Sequence, residues 1–386
     1  MSVNTMSIED ARALLNSLHN QVTGQSALAP TSTVDFVSQA QATLAAGTDV
    51  VFGALMQMVG QTIFAVRPYS AKFQGLKADL SRWGGIIRKV SFGDKAVPAD
   101  EAYHGLVDGV SVDPWKISKP QVLETRYYGS DVFQDDYTVF EQQLKNAFEN
   151  ESEFGSFIAA LTTHYSNVWE QYQEDMARML LATAIAAKNA TNNNVEDLLT
   201  QYNSETGQSL TRADATIDKD FWRWVRAKIN TIARRFTARS GEYQEQIAGY
   251  TINRHTPVED QRIYLLSDML DKVNTIVNAT TYHDEPLQYA DVEGVDFWQS
   301  IKTPDQIDIT PTYIDSAGAV TVAAQQQMSD VFGIIFDKDA MMYSVIDFSV
   351  MNSPMNQKGR YFNVNLTANI RYCLDLTEKI DVLVLD

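Results

Sequence analysis

The sequence predicts an α+β protein, and three patterns in the chain support that prediction. Apolar residues recur at helical spacing over about residues 153–188. Short β-prone runs bounded by glycine and proline lie before this stretch, at 86–92 and 121–128. Similar runs follow it, at 361–372 and 380–385. A long helix together with separate groups of strands is typical of the α+β class.

Length and composition are typical of a globular protein with a net negative charge. The chain has 386 residues, which at about 150 residues per domain predicts two or three domains. Hydrophobic residues make up 45% of the chain, enough for a sizeable core, which excludes a wholly disordered protein. The net charge of −18 argues against a general nucleic-acid binder and against attraction to an anionic membrane surface.

Cysteine content and hydropathy point to a soluble protein. The single cysteine, Cys373, excludes an internal disulfide and a cysteine-based zinc site. The N-terminus lacks the basic and then apolar pattern of a signal peptide. The most apolar segment, 50–66, is interrupted by polar residues and is too short to span a bilayer. We therefore expect a protein made in a reducing cytoplasm, without a membrane partner.

The first segment of the chain, residues 1–66, is predicted to be an arm. Ser7 is placed to cap a short amphipathic helix over 8–18, and a flexible connector follows at 24–33. A second helical stretch begins near Val34. Because the segment has few bulky residues, we expect it to pack on another surface. We also expect residues 1 to about 50 to be dispensable for folding and necessary for assembly.

Residues 67–128 are rich in turn pairs and are predicted to form an extended hairpin. Its two strands are the runs 86–92 and 121–128, joined by a long loop. An isolated two-stranded ribbon is marginally stable in water. We therefore expect the hairpin to lie along another surface, in the same subunit or in a neighbour.

Four residues are candidates for anchoring this hairpin on an adjacent subunit. They are Trp83, Ile86, Ile87 and Trp115. The two tryptophans lie among turns, where a large aromatic side chain has little local core to enter. Aromatic residues on projecting loops often anchor interfaces.

The remaining elements are predicted from periodicity. The stretch 153–188 indicates one helix of about 50 Å that packs its aromatic stripe on a sheet containing the C-terminal strands. A second helix over 218–238 combines an apolar stripe with an arginine-rich face, which we interpret as salt-bridged or intersubunit. The run 262–266 is typical of a short buried strand, and 331–336 of a central strand.

The sequence carries no signature of catalysis. No two of the five histidines have the spacing of a zinc helix. Neither a phosphate-binding glycine loop nor a nucleophile elbow is present. The acidic clusters near 135–136 and 149–153 are interpreted as charge at helix N-termini. We therefore predict no catalytic residue, no cofactor and no metal.

Several short segments in a characteristic order resemble a tailed-bacteriophage major capsid protein with the Hong Kong 97-like fold. These segments are Arg82–Ile87, Asp108–Asp113, Glu153–Gly155, Gly333–Ala340 and Arg371–Glu378. The likeness extends over nearly the whole chain.

The resemblance implies a division of the chain. It implies an N-terminal arm at 1–66 and an extended loop at 67–128. It implies a peripheral domain with a long spine helix, built from 129–200 and 341–386, and an axial domain at 201–340. Some members are crosslinked through a lysine of the extended loop. Nothing marks a lysine of the matching loop as reactive here, and we do not carry that chemistry over.

The resemblance also implies function, partners and location. Subunits would self-assemble into hexamers and pentamers that form an icosahedral head shell around double-stranded DNA, enclosed without sequence-specific binding. About sixty residues precede the loop, so we expect a separate scaffolding protein, together with a portal protein. Assembly would take place in the host bacterial cytoplasm, and the product would be the virion capsid. The acidic charge would keep packaged DNA from adhering to the wall.

Two other functions remain open at the level of sequence. One is a soluble enzyme of the hydrolase type, whose site is built from residues scattered along the chain. The other is an encapsulin-like cargo shell, which shares the fold. The size of the assembled particle separates an enzyme from a shell.

Overall fold

A computed structural model describes most of the chain. The described residues are 8–24, 29–48, 50–55, 73–78, 87–94, 108–109, 115, 119, 121–127, 130–149, 151–271 and 292–386. The helices with assigned bounds are α1 (Ile8–Thr23), α2 (Thr33–Leu44), α3 (Glu141–Ala147), α4 (Glu151–Thr191), α5 (Leu198–Thr206), α6 (Arg212–Ile217) and α7 (Lys219–Thr237). Short helical segments also occupy 50–55 and 267–271, and 3-10 turns occupy Gln74–Leu76 and Val258–Asp260.

The strands fall into two main sheets and three small pairs. The strands are β1 (Ile87–Phe92), β2 (Val122–Tyr127), β3 (Asp131–Phe140), β4 (Val195–Asp197), β5 (Gln261–Leu266), β6 (Val292–Val295), β7 (Ile307–Ile309), β8 (Thr312–Ile314), β9 (Val320–Val322), β10 (Gln326–Met328), β11 (Val331–Asp337), β12 (Met341–Asn352), β13 (Tyr361–Leu374) and β14 (Ile380–Val384). One main sheet has the order β4-β14-β11-β5-β6, and the other has the order β12-β13-β3. Helices and sheets together confirm the predicted α+β class.

The centre of the five-stranded sheet is β11, as its apolar run predicts. All seven of its residues are buried, and it pairs antiparallel with β14 and with β5. Gly333 is required by this close pairing. A Cβ atom at that position would collide with the side chain of Leu265 and would lie 2.8 Å from the carbonyl oxygen of Tyr264.

The predicted long helix is continuous and extends slightly beyond its expected bounds of 153–188. Helix α4 has 41 residues, or about 60 Å at 1.5 Å per residue. Trp169 is buried, with ring centroids 6.1 Å from Phe133 of β3 and 5.2 Å from Phe348 of β12. The aromatic stripe around Trp169 therefore packs on the three-stranded sheet. This sheet contains β13, as expected, but not β14, which the prediction also placed there.

The predicted second helix is also confirmed, with one change to its apolar stripe. Asp218 caps α7 by accepting hydrogen bonds from the backbone N–H groups of Asp220 and Phe221. Trp222 is fully buried. Trp224, which the pattern places in the core, is only partly buried and donates its indole N–H to Glu205 at 2.8 Å.

The described part of the arm packs on its own subunit. Helices α1 and α2 share a buried apolar cluster with β3, β13 and the start of α4. Phe36 contacts Phe154 edge-on, and Phe52 stacks on Phe362 with centroids 4.5 Å apart. The few apolar residues of the arm thus cover one face of the three-stranded sheet. This burial argues against the expectation that the subunit folds independently of its arm.

The last strand lies in a different sheet from the two strands before it. β13 pairs with β12 and β3, whereas β14 pairs with β11 and, in parallel, with β4. The turn between them, residues 375–379, therefore links the two main sheets. Asp375 shapes this turn by accepting hydrogen bonds from the backbone N–H and the hydroxyl of Thr377, at 2.9 and 2.6 Å.

Candidate assembly surface

The predicted hairpin is present in its described residues. We use the name ribbon for residues 87–94 and 121–127, which contain β1 and β2. The two strands are antiparallel, with Arg88 opposite Arg126 and Phe92 opposite Val122. The ribbon forms its own two-stranded sheet, so neither strand extends either of the main sheets.

The two faces of the ribbon have different surroundings. In β1, Ile87, Lys89 and Ser91 are half-buried or buried, whereas Arg88, Val90 and Phe92 are exposed. Successive side chains in a strand point to opposite faces, and residues directly opposite on paired strands share a face. The outer face therefore consists of Arg88, Val90, Phe92, Val122, Glu124 and Arg126.

The inner face lies against the subunit's own turn at residues 375–379. The ammonium group of Lys89 lies 2.7 Å from the carboxylate of Asp375 and 2.6 Å from that of Glu378. It also donates to the carbonyl oxygen of Asp339 at 3.2 Å. Tyr127 adds a hydrogen bond from its hydroxyl to the carbonyl oxygen of Leu374, at 3.2 Å.

Burial and the neighbouring opposite charges shift the pKa values of Lys89, Asp375 and Glu378 in opposite directions. Burial disfavours the ammonium form of Lys89, but Asp375 and Glu378 outweigh it and raise the pKa of the lysine. Burial also opposes ionisation of Asp375, yet Lys89 and Thr377 hold the pKa of this carboxyl below its usual value. For Glu378, burial dominates and raises the pKa, despite Lys89 and Arg254 nearby. The group is therefore a desolvated ion-pair network centred on Lys89.

The outer face exposes apolar side chains to solvent. The exposed fractions are 66% for Phe92, 44% for Val122 and 43% for Val90. The three lie on neighbouring positions of the paired strands, since Phe92 is opposite Val122 and Val90 follows two residues earlier on the same face. A contiguous exposed apolar group of this kind is typical of an interaction site.

The outer face carries positive charge, whereas the chain as a whole is negatively charged. Arg88 and Arg126 both contact the carboxylate of Glu124, at 2.7 and 2.6 Å. These hydrogen bonds lower the pKa of Glu124. One carboxylate between two guanidinium groups leaves a net positive charge on this face, in a chain whose net charge is −18.

The structure describes two of the four predicted anchor residues, Ile87 and Trp115. Trp83 and Ile86 lie outside the described residues. Ile87 is half-buried and lies opposite Tyr127, on the side of Lys89. The side chain of Trp115 is 85% exposed.

Sequence reasoning missed the apolar residues of the outer face. The signal that could have found them is the alternation along 88–92, which places Val90 and Phe92 on one side of the strand. That alternation does not say which side faces the subunit. The distinction depends on Asp375 and Glu378, which are almost 290 residues away in sequence.

An open apolar cleft lies at the base of the ribbon. Its volume is about 500 Å³. It is lined by side chains of α4, β8, β9 and β13, together with Arg126 and Tyr127 of the ribbon. Three of its lining residues are large, apolar and substantially exposed: Met179, Val320 and Tyr372.

Two other kinds of site are absent from the described residues. No helix of the described ranges combines the length and apolar character needed to cross a membrane. Across the described part of the chain, His, Cys, Asp and Glu side chains form no group of three that could hold a metal ion.

Comparison with solved structures identifies the class of fold. A chain from the capsid structure of Staphylococcus phage Andhra aligns with a TM-score of 0.52 at 11% identity, covering 83% of this chain and 86% of that one. A chain from the structure of head fiber and inner core protein gp22 of native bacteriophage P68 aligns with a TM-score of 0.52 at 10% identity, covering 82% and 85%. The helices and sheets described above are thus those of a phage capsid fold.

Comparison at the level of families is more specific. The family model of the Phi29-like phage major capsid protein matches residues 12–379, and the chain belongs to this family. No curated protein sequence matches the chain. The protein is a structural component of the virion capsid, and the enzyme and cargo-shell alternatives are not favoured.

Proposed function

We propose that the protein builds an icosahedral head shell from rings of five and six copies, in which the ribbon of each copy lies on the next copy. The observation that carries this proposal is the outer face of the ribbon, where Phe92, Val90 and Val122 are exposed beside an excess of positive charge. The inner face is already occupied by the subunit's own turn at 375–379. The outer face is therefore the one available to a neighbour.

Charge complementarity favours a second copy of this chain as the neighbour. Each copy carries a net charge of −18, so copies repel one another unless their contacts bring opposite charges together. Arg88 and Arg126 supply positive charge at the ribbon. A contact between the ribbon of one copy and a different surface of the next is heterologous, and heterologous contacts close into rings.

The apolar cleft at the base of the ribbon is the proposed receiving surface on the next copy. Met179, Val320 and Tyr372 are exposed there, and apolar side chains of an incoming outer face would cover them. The cleft adjoins β3, whose Asp131 interacts with Tyr372. Arg126 of the receiving copy also lines the cleft and offsets the charge of Asp131, so the apolar side chains of the cleft carry the proposed match to Phe92, Val90 and Val122.

The proposed domain organisation is that of the Hong Kong 97-like fold. Packing of Trp169 of α4 on the three-stranded sheet supports a peripheral domain built from 129–200 and 341–386. The five-stranded sheet and α7 support an axial domain at 201–340. Pairing of β14 with β11 adds the last strand to the sheet of the proposed axial domain. The arm at 1–66 and the extended loop at 67–128 complete the division.

The proposed partners follow from the role in the head. They are further copies of the chain, a separate scaffolding protein, a portal protein and packaged double-stranded DNA. The acidic balance of the chain favours a wall that encloses DNA without holding it. Assembly is proposed to occur in the cytoplasm of the host bacterium.

The test is a Phe92→Ser variant of the full chain, expressed with its scaffold and assessed by sedimentation and negative-stain microscopy. The unassembled subunit should melt as the wild type does, because Phe92 is exposed, while closed shells should be lost. Val258→Ser, which removes a 45% exposed apolar side chain elsewhere, is the matched control and should assemble normally. Normal shells from Phe92→Ser would refute the proposed contact.

A further inference from the structure

The ribbon is attached to the rest of the subunit mainly through directional polar contacts. The described residues form three clusters of buried apolar side chains, and no residue of β1 or β2 belongs to any of them. An apolar contact tolerates sliding and rotation, whereas hydrogen bonds and ion pairs fix distance and angle. The orientation of the ribbon therefore depends on a small number of polar groups.

Lys89 is the centre of this attachment. Its ammonium group has three acceptors: the carboxylates of Asp375 and Glu378 and the carbonyl oxygen of Asp339. These acceptors come from two different turns of the chain, before β12 and after β13. An ammonium group has three donors, so this arrangement uses all of them. Because the contacts come from two separate turns, they fix the orientation of β1 relative to the rest of the subunit.

A second set of contacts holds the end of β1. Arg254 donates to the hydroxyl of Ser91 at 2.7 Å and lies 3.3 Å from the carboxylate of Glu378. Asp94 pairs with Arg239 and accepts a hydrogen bond from the backbone N–H of Asn253 at 2.9 Å. Glu378 is thus shared by Lys89 and Arg254, which links the two sets into one network.

The attachment is made where the two main sheets meet. Asp375 and Glu378 belong to the turn 375–379, which joins β13 of the three-stranded sheet to β14 of the five-stranded sheet. The backbone N–H of Glu245 also donates to the carbonyl oxygen of Leu376 at 2.7 Å. The turn is therefore held in place from both sides, and it provides a fixed base for the ribbon.

We propose that Lys89 is a positioning residue for assembly, which sets the angle at which the ribbon leaves the subunit. This inference rests on the proposed contact between ribbon and neighbour. In a ring, the outer face of each ribbon must arrive at the next copy in one orientation. If only a fraction of subunits hold the ribbon in that orientation, the apparent affinity of each contact falls by the same fraction.

The test measures the orientation of the ribbon directly in the full, unassembled chain. Cysteines replace Gln121, an exposed residue of the ribbon, and Thr231, an exposed residue of α7, and both are spin-labelled. The native Cys373 is buried, and burial raises the pKa of its thiol to about 12, so it should not react. Pulsed electron paramagnetic resonance then gives the distribution of distances between the two spin labels.

The wild type should give one narrow distribution of distances. Lys89→Met should broaden it, and Lys89→Arg should restore a narrow distribution because it keeps the charge. The matched control is Lys145→Met, which breaks an ion pair of an exposed lysine at a similar distance, 2.7 Å to Glu141, on α3 and outside the turns that hold the ribbon. A distribution that stays narrow in Lys89→Met would overturn the proposal.

Loss of Lys89 leaves two buried carboxylates without their cation, which could unfold the subunit. The double variant Lys89→Met/Glu378→Gln removes one of these charges and provides a second route to the same measurement. It should keep a cooperative melt and still give the broad distribution. A narrow distribution in this folded variant would also overturn the proposal.

Assembly assays of two variants distinguish failure of this inference from failure of the proposed contact on which it rests. With the ribbon in the right orientation in about one tenth of subunits, each contact should weaken about tenfold, and Lys89→Met should give few closed shells. If Phe92→Ser blocks assembly while Lys89→Met assembles normally, the positioning role is wrong and the contact stands. If Phe92→Ser assembles normally, the contact itself is wrong, whatever Lys89→Met does.

Discussion

Replacing Trp169 by alanine should test the packing of the long helix on the three-stranded sheet. Trp169 is 8% exposed and contacts Phe133, Tyr172 and Phe348, with ring centroids 5.2 to 6.1 Å away. Burying about 200 Å² of aromatic surface at ~25 cal/mol per Å² is worth about 5 kcal/mol. Partial collapse of the neighbouring rings into the space would recover some of this. We therefore expect a loss of about 3–5 kcal/mol in the free energy of unfolding.

The assay is urea denaturation of the unassembled subunit, followed by circular dichroism. Trp224→Ala is the matched control, because this tryptophan is only partly buried and should cost clearly less. A loss below about 0.5 kcal/mol for Trp169→Ala would contradict the packing described here, since that is the range of surface substitutions. Equal losses in the free energy of unfolding for Trp169→Ala and Trp224→Ala would also contradict this packing.

Three further predictions concern stability. Burial raises the pKa of Asp381 well above its usual range, so the folded state binds a proton that the unfolded state releases, and stability should fall as pH rises through the folded pKa. Asp381→Asn should therefore be more stable than the wild type at pH 8 and should show a flatter dependence of stability on pH. An unchanged profile in chemical denaturation would contradict this. Gly333→Ala should lose about 1–3 kcal/mol by overpacking against β5, and a thermal melt equal to that of the wild type would argue against the pairing. A chain beginning at residue 56 should lose its cooperative melt, because it uncovers Phe362 and its neighbours; a normal melt would show that the arm is dispensable for folding.

Elements with strong local patterns could be predicted from the sequence. Helix α4 has an unbroken helical period without an internal proline, and α7 has an apolar stripe and a capping aspartate. The run at β11 is apolar throughout, which is typical of a strand buried on both faces. In each case the information lies within about 40 consecutive residues, and burial in the fold acts in the same direction as the pattern.

Features that depend on distant residues could not be predicted in this way. The arm has few bulky residues, but they face a sheet built from β3 and β13, so their burial is decided by chain about 100 to 350 residues away. Nothing in 380–385 distinguishes pairing with β11 from pairing with β13. Lys89 reads as one of several lysines in a turn-rich loop, and its role depends on Asp375 and Glu378. The sequence identifies the ribbon, whereas the structure identifies its outer face.

The most direct test of a shell built through the ribbon is a cryo-electron microscopy reconstruction of the assembled particle. It should show Phe92 and Val122 buried against a neighbouring copy, with Lys89 still between Asp375 and Glu378 of its own subunit. The account would be contradicted by closed shells in which the outer face of the ribbon remains exposed to solvent or folds back on its own subunit.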